Sequence, residues 1–425
     1  MELTKKRWII LISSCFINLC IGSMYAWSIF AAPMASYLSK ITGVSLTAGA
    51  LAIVFTVTNS VGPITMIAGG KINDTFGPKK VIFVGGLLFG GGMILSGFAT
   101  GLGFLVFAYG IVTGLGIGMV YGCTISNSIK FFPDKRGFVG GITTACYGFS
   151  SVIVPPVANV LINNFGVTAA FKIIGTTFLI IVCVCSFFID KCPVGFIPEG
   201  WTPPVSQGNK LNQDDTNWKG MLANPVFYVM ILVLLCGAFY GLMCSSLTSP
   251  LAQGMIGMSV AAATTVVSIL ALFNTGGRII AGYVSDKIGR NNTLAIAFVL
   301  AIIGLTCLYI SGKGDVTTFY IGIMIVGVSF GAFMGVFPGF TADQFGTKHN
   351  SVNYGIMFIG FAISGYFGPT VMKNVYAADH SYQRAFLIAA VLCVIGFTLT
   401  FVYRYMHKLA IEAMNTKAIK TGRNI

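Results

Sequence analysis

Apolar residues run along this chain in long blocks, separated by short stretches that are basic or rich in glycine and proline. Twelve blocks stand out, at roughly 8–32, 47–69, 81–100, 103–129, 138–163, 167–189, 225–253, 260–284, 292–311, 316–342, 351–376 and 382–406. Each is close to the about 20 residues that an α-helix needs to cross a bilayer core. One long polar stretch, 190–224, interrupts the series after the sixth block. It contains Pro193, Pro198, Pro203, Pro204, Asp214, Asp215 and Trp218, and it reads as a flexible linker.

A second pattern lies over the first. The loop after the second block reads Gly70-Lys71-Ile72-Asn73-Asp74-Thr75-Phe76-Gly77-Pro78-Lys79-Lys80. The loop after the eighth reads Gly282-Tyr283-Val284-Ser285-Asp286-Lys287-Ile288-Gly289-Arg290. Gly70, Asp74 and Gly77 recur as Gly282, Asp286 and Gly289, with the same spacing and at the same place in each half. Parallel six-helix repeats produce such a correspondence. The expected fold class is an all-α membrane protein with twelve transmembrane helices in two pseudo-symmetric six-helix bundles. The expected divisions are 1–189 for the first bundle, 190–224 for the linker, 225–406 for the second bundle and 407–425 for a tail.

Composition agrees with lipid as the main solvent. Of the 425 residues, 55% are hydrophobic and 9% charged, against roughly 25% charged in soluble proteins. Ten of the eleven cysteines sit inside apolar blocks, with Cys192 the exception, so packing is expected of them and not a disulfide scaffold. The net charge of +14 would invite a nucleic-acid reading, yet the basic residues fall in short turns between apolar blocks. Twenty of the 26 Lys and Arg residues belong to the side that carries both ends and the central linker. Lys40, Lys313, Lys373 and Arg384 lie on the other side. That bias predicts a multi-pass protein of the cell membrane with both termini cytoplasmic, the lipid bilayer as its partner, and no nucleic acid. Lys5-Lys6-Arg7 resembles the start of a signal peptide. The apolar run from Trp8 to Ala32 exceeds a signal core of about 7–15 residues, however, and is read as a retained span.

The distribution of charge at membrane depth carries the chemistry. All twelve acidic residues, and His349, His380 and His407, lie in loops, tails or helix ends. An embedded enzyme would need metal ligands, a carboxylate dyad or a nucleophile–base pair at depth, so neither an enzyme nor a metal or other cofactor is expected. A receptor would announce itself by a large folded domain outside the spans, and none is expected here. One full charge remains deep: Arg278, eight residues before Asp286. At about 1.5 Å per residue it lies about 12 Å below the interface, against a hydrocarbon half-thickness of about 15 Å. Such an arginine costs about 2.5–3.5 kcal/mol even on lenient insertion scales, which points to a wet cavity. Asn274, Thr275, Ala271, Ser268 and Thr264 continue a small, polar stripe on the same helix. With no carboxylate in the surrounding blocks, the cavity is electropositive, and the planar guanidinium matches a carboxylate bidentately. The expected ligand is a small organic anion. Gly110, Gly114, Gly118 and Gly122 read as close helix packing. Gly140-Gly141, Pro155-Pro156, Pro338 and Pro369 read as bends.

The repeated loops resemble the glycine–acidic–basic signature of the major facilitator superfamily, the first departing from it in having Thr75 after Asp74. Asp74 and Asp286 are expected to lock the cytoplasmic helix ends through basic residues such as Arg136 or Lys348, with release accompanying opening. Closer similarity is to the oxalate/formate antiporter family. It rests on Phe131-Phe132-Pro133-Asp134-Lys135-Arg136-Gly137, Tyr25-Ala26-Trp27, Tyr121-Gly122, Tyr147-Gly148, Asn353-Tyr354-Gly355 and Gly277-Arg278. That family transports small carboxylates and is related in architecture to the monocarboxylate transporters of animals. The resemblance implies secondary transport by alternating access, with Arg278 binding the substrate and Tyr25, Tyr121 and Tyr147 lining the site.

Two departures refine the expectation. Oxalate exchangers of that family carry a lysine where this chain has Phe361, and a tryptophan and a tyrosine where it has Phe358 and Met334. One cation and an apolar wall suit a small carboxylate anion of the lactate, pyruvate, acetate and formate class, an oxalate/formate-type dicarboxylate exchanger being the alternative. Asn274 stands where the monocarboxylate carriers place an aspartate implicated in proton coupling. Exchange, uniport, and symport in which the substrate itself brings protons as coupling ion all stay open.

Overall fold

A computed structural model of the protein describes residues 3–202 and 215–420. Pro203, Pro204 and Asp214 of the expected linker, and residues 421–425 of the expected tail, lie outside the described residues. Among the described residues, twelve helices are long and apolar enough to cross a membrane. They are α1 (Leu3–Thr42), α2 (Ala52–Phe76), α3 (Pro78–Ser96), α4 (Leu102–Phe131), α5 (Arg136–Phe165), α6 (Val167–Ser186), α7 (Pro225–Ile256), α8 (Val260–Ile288), α9 (Arg290–Ile310), α10 (Val316–Phe345) and α11 (Asn350–Asp379). The last, α12, runs over Gln383–Lys420, and its spanning part is Gln383–Leu409. Among the described residues there is no strand, as lipid requires of an open segment, because only a helix pairs every backbone N–H and C=O within itself. Large apolar side chains such as Phe16, Ile64, Ile280 and Phe367 remain exposed along the spans, where acyl chains would cover them.

Hydropathy marks these helices but does not end them. α1 continues to Thr42 and α2 to Phe76, beyond their apolar blocks. Each stops at a glycine that leaves the helical region: Gly43 at φ 69° and Gly77 at φ 92°, ψ 168°. Gly289 repeats the second device at φ 88°, ψ 151°, in a region that side-chain-bearing residues essentially do not enter. One residue thus turns α2 into α3, and one turns α8 into α9. The repeat read from the sequence recurs here as a repeated backbone conformation.

Two compact units result. The first comprises residues 1–132, 142–198 and 354–356, and the second 133–141, 199–353 and 357–425. In the first, α2 packs on α4, α3 on α4 and α6, and α1 on α4 and α6. In the second, α8 packs on α10, α9 on α10 and α12, and α7 on α10 and α12. The pairings are the same at each corresponding position. Glycines make the tightest of them possible. A Cβ at Gly118 would lie 2.0 Å from the Gly62 carbonyl oxygen on α2, and one at Gly331 would lie 2.1 Å from the Asn274 carbonyl oxygen on α8.

Pro155, Pro156, Pro338 and Pro369, read from the sequence as bends, sit inside continuous helices. Irregular backbone occurs at other positions. α1 narrows to a 3₁₀ turn over Gly22–Ala26, α4 widens to a π turn over Val106–Thr113, and α11 is interrupted at Phe358. In α7 the backbone leaves helical geometry at Leu247 (φ −126°, ψ 17°).

Candidate functional site

In the second unit the site begins with spacing along α8. Asn274 and Arg278 are one turn apart and therefore share a face. Both are buried, at 7% and 4% exposure, and the Arg278 Nε donates to the Asn274 Oδ1 at 2.8 Å. The amide thereby orients the guanidinium without neutralising it. The rest of the stripe satisfies itself: the Thr275 hydroxyl donates to the Ala271 carbonyl at 2.8 Å and that of Thr264 to Val260 at 3.0 Å. Ser268 and Thr264 are exposed.

The backbone of Arg278 is clasped. Cβ atoms added at Gly335 and Gly141 would lie 2.3 Å and 2.4 Å from its carbonyl oxygen, and one at Gly331 would lie 2.9 Å from its amide nitrogen. Backbone cannot yield as a flexible side chain can, so α10 holds this turn of α8 in place. Sequence reading singled out the glycines of α4 and missed those of α10. The signal was present, since Gly114, Gly118 and Gly122 recur as Gly327, Gly331 and Gly335 at nearly the offset that relates Asp74 to Asp286. That offset also sets Asn274 and Arg278 of α8 against Gly62 and Met66 of α2. The charge is therefore a property of the second half alone.

Met334 is buried on α10 at 2% exposure. Phe358 and Phe361 stack with ring centroids 4.5 Å apart and planes at 23°, at the interruption of α11. Together they form an apolar pair with both rings half-buried.

The first unit gathers the three tyrosines. Tyr147 on α5 touches Tyr25 edge-on, at 5.5 Å between centroids, and Tyr121 of α4 at 4.8 Å. Tyr25 lies in the 3₁₀ turn of α1, beside Gly22, where a Cβ would come 2.0 Å from the Tyr147 carbonyl oxygen. The absence of that Cβ lets α1 approach α5 closely enough for the rings to meet. A buried polar ladder between α1 and α4, Asn18 to Thr124 at 2.9 Å and Ser128 to Ser14 at 3.0 Å, was not anticipated.

The helix ends carry the ion pairs. In the first unit Lys130 at the end of α4 pairs with Asp74 at 2.8 Å. In the second, the Asp286 carboxylate accepts the N–H groups of Gly137 and Phe138, each at 2.8 Å, and pairs with Arg290 at 2.7 Å. It thus satisfies two of the orphan donors at the start of α5 and places negative charge at the positive end of that helix. Asp343, not singled out from the sequence, bridges Arg136 at 2.7 Å and Arg290 at 2.8 Å. The backbone N–H of Lys348 donates to Asp215 at 2.9 Å.

Known proteins match this chain over nearly its whole length. The chain is 31% identical over 412 residues to an oxalate:formate antiporter of Oxalobacter formigenes, covering 94% of this chain and 92% of that one. It is 26% identical to monocarboxylate transporter 12 of Xenopus laevis, with coverages of 93% and 86%. The crystal structure of FucP in the outward conformation superposes with a TM-score of 0.69 at 14% identity, covering 93% of this chain and 98% of that one. A sequence profile described as "Major Facilitator Superfamily" matches residues 16–369 and so reaches across both repeats. Twelve spans, a repeated six-helix unit and that match have one common reading: the chain belongs to the major facilitator superfamily, whose members are membrane transporters and not enzymes.

Proposed function

We propose that this transporter moves a small carboxylate by alternating access, with Arg278 as the group that binds it. The observation that carries the reading is a buried guanidinium whose Nε is held by a neutral amide, Asn274, at 2.8 Å. A guanidinium in the interior attracts an anion more strongly than one at the surface, and a carboxylate fits its planar end through two parallel hydrogen bonds. Two relatives whose names specify carboxylate substrates, an oxalate:formate antiporter and a monocarboxylate transporter, support the same class. Within that class the Phe358–Phe361 pair favours a monocarboxylate, because an apolar wall rewards a methyl or short chain and penalises a second anionic group. Tyr25, Tyr121 and Tyr147 are proposed as hydroxyl donors to the substrate. Asp74 and Asp286 are proposed to hold their helix ends until the carrier opens on the side of the basic loops, which positive-inside bias assigns to the cytoplasm together with both termini.

Uptake of labelled lactate, formate or oxalate into proteoliposomes tests the reading. Arg278→Ala is expected to assemble normally and to lose uptake. Arg278→Lys keeps a charge but replaces the fork by a point donor, and uptake is expected to fall at least tenfold. Normal uptake by well-assembled Arg278→Ala protein would refute the assignment.

A further inference from the structure

Each half has a cavity at the same place, between the start of its third helix and the end of its sixth. In the second unit the cavity is about 370 Å³, and Arg290, Asn291, Asn292, Asp343, Gln344 and Arg404 line it beside Phe340 and Tyr403. In the first unit it is about 360 Å³ and of a different character: Lys79 and Lys80 stand at one end, and Phe83, Val84, Ser186 and Phe187 make up the rest. Ser186 turns its hydroxyl back onto the Cys183 carbonyl at 2.6 Å, which leaves a wall that behaves as apolar. Val84 and Phe187 are exposed at 46% and 60%.

The groups follow an order along α3. Lys79 and Lys80 occupy its first turn, and Phe83 and Val84 lie one turn deeper. Charge followed by hydrocarbon is the order of a phospholipid entering a leaflet. The positive end of the α3 dipole lies at the lysines and favours an anion there. Lys79 is partly compensated, its Nζ being 3.7 Å from Asp190, which also pairs with Lys6. Lys80 is exposed and makes no ion pair among the described residues.

We propose that the groove between α3 and α6 binds an anionic phospholipid, its phosphate at Lys79 and Lys80 and an acyl chain along Phe83, Val84 and Phe187. The second half supplies the contrast. Asn291 and Asn292 take the positions in the repeat that Lys79 and Lys80 hold in the first half, and Asp343 brings a carboxylate into the wall. The corresponding cavity is not expected to hold an anionic lipid.

Native mass spectrometry of the purified full chain, titrated with phosphatidylglycerol or phosphatidylcholine, tests this. Wild-type protein is expected to bind phosphatidylglycerol about fivefold to tenfold more tightly than phosphatidylcholine. Lys79→Gln with Lys80→Gln should bring the two lipids to parity, whereas Lys313→Gln should change nothing. Val84→Ser with Phe187→Ser should weaken both lipids together. A wild-type protein without preference, or a preference that survives the double lysine variant, would overturn the proposal. So would displacement of phosphatidylglycerol by excess inorganic phosphate, which would mark a phosphate site in place of a lipid site.

Discussion

Replacing Asn274 by aspartate would place a carboxylate where the amide now contacts the Arg278 Nε at 2.8 Å. The substitution changes almost no volume, so the clasp around this turn of α8 should persist and the effect should be electrostatic. With the charge centres about 4 Å apart and an effective dielectric of about 20, the new attraction is about 4 kcal/mol. A substrate carboxylate must share or displace that partner. If half of the attraction is recovered through shared coordination, the remaining about 2 kcal/mol corresponds to roughly a thirtyfold rise in Kd. The sign of the pH dependence follows. An anion takes Arg278 most readily when residue 274 is neutral, so binding to Asn274→Asp protein should take up a proton and strengthen as pH falls. Wild-type protein has no such group at this position. The assay is uptake of labelled monocarboxylate into proteoliposomes from about pH 5.5 to about pH 7.5, with assembly checked by size-exclusion chromatography. Wild-type affinity together with a wild-type pH profile in Asn274→Asp would refute the claim that Arg278 binds the anion.

Other expectations follow from the same geometry. Gly331→Ala forces a methyl against the Asn274 carbonyl oxygen at 2.1 Å, whereas a Cβ at Gly276 meets nothing within 4 Å. The first should cost about 1–3 kcal/mol by overpacking and raise KM, and the second should be neutral or stabilise slightly through helix propensity; thermal unfolding and uptake kinetics separate them. Asp286→Asn removes the pair with Arg290 and one of two backbone acceptors, a loss of about 1–3 kcal/mol. It should raise thiol labelling of cysteines introduced at the ends of α5 and α8 from the side of the basic loops, and unchanged labelling would reduce Asp286 to a topological charge. Phe361→Lys should shift competition between lactate and oxalate toward the dianion. Tighter binding of oxalate than of any monocarboxylate by the wild type would overturn the one-cation reading.

The parts most legible in the sequence were those that lipid enforces. Twelve helices could be counted because a spanning segment has to be apolar throughout its length, and Arg278 stood out because one charge in such a segment is conspicuous. Helix ends were less legible. The extension of α2 to Phe76 depends on Gly77 and not on hydropathy, and helical backbone continues through Asn73 and Asp74 without regard to their polarity. The interruption at Phe358 left no mark in the residues, since neither proline nor glycine stands there. Pro155, Pro156, Pro338 and Pro369 left their helices continuous, because spanning helices can absorb the missing hydrogen bond locally, whereas α7 leaves helical geometry at Leu247, three residues before Pro250.

By itself, then, the sequence determined the solvent, the number of spans, the repeat and the place of Arg278 within the eighth span. These follow from composition, from the length of each apolar block and from the correspondence of Gly70, Asp74 and Gly77 with Gly282, Asp286 and Gly289, none of which needs knowledge of neighbours. Tertiary structure decided what surrounds each group. It closed Gly331, Gly335 and Gly141 about the backbone turn of Arg278, and joined Tyr25, Tyr121 and Tyr147 into one cluster. It also gave Asp343 to Arg136 and Arg290. Each of those contacts joins positions far apart in the chain or depends on how closely two backbones approach, and no local pattern of apolar and polar residues encodes either.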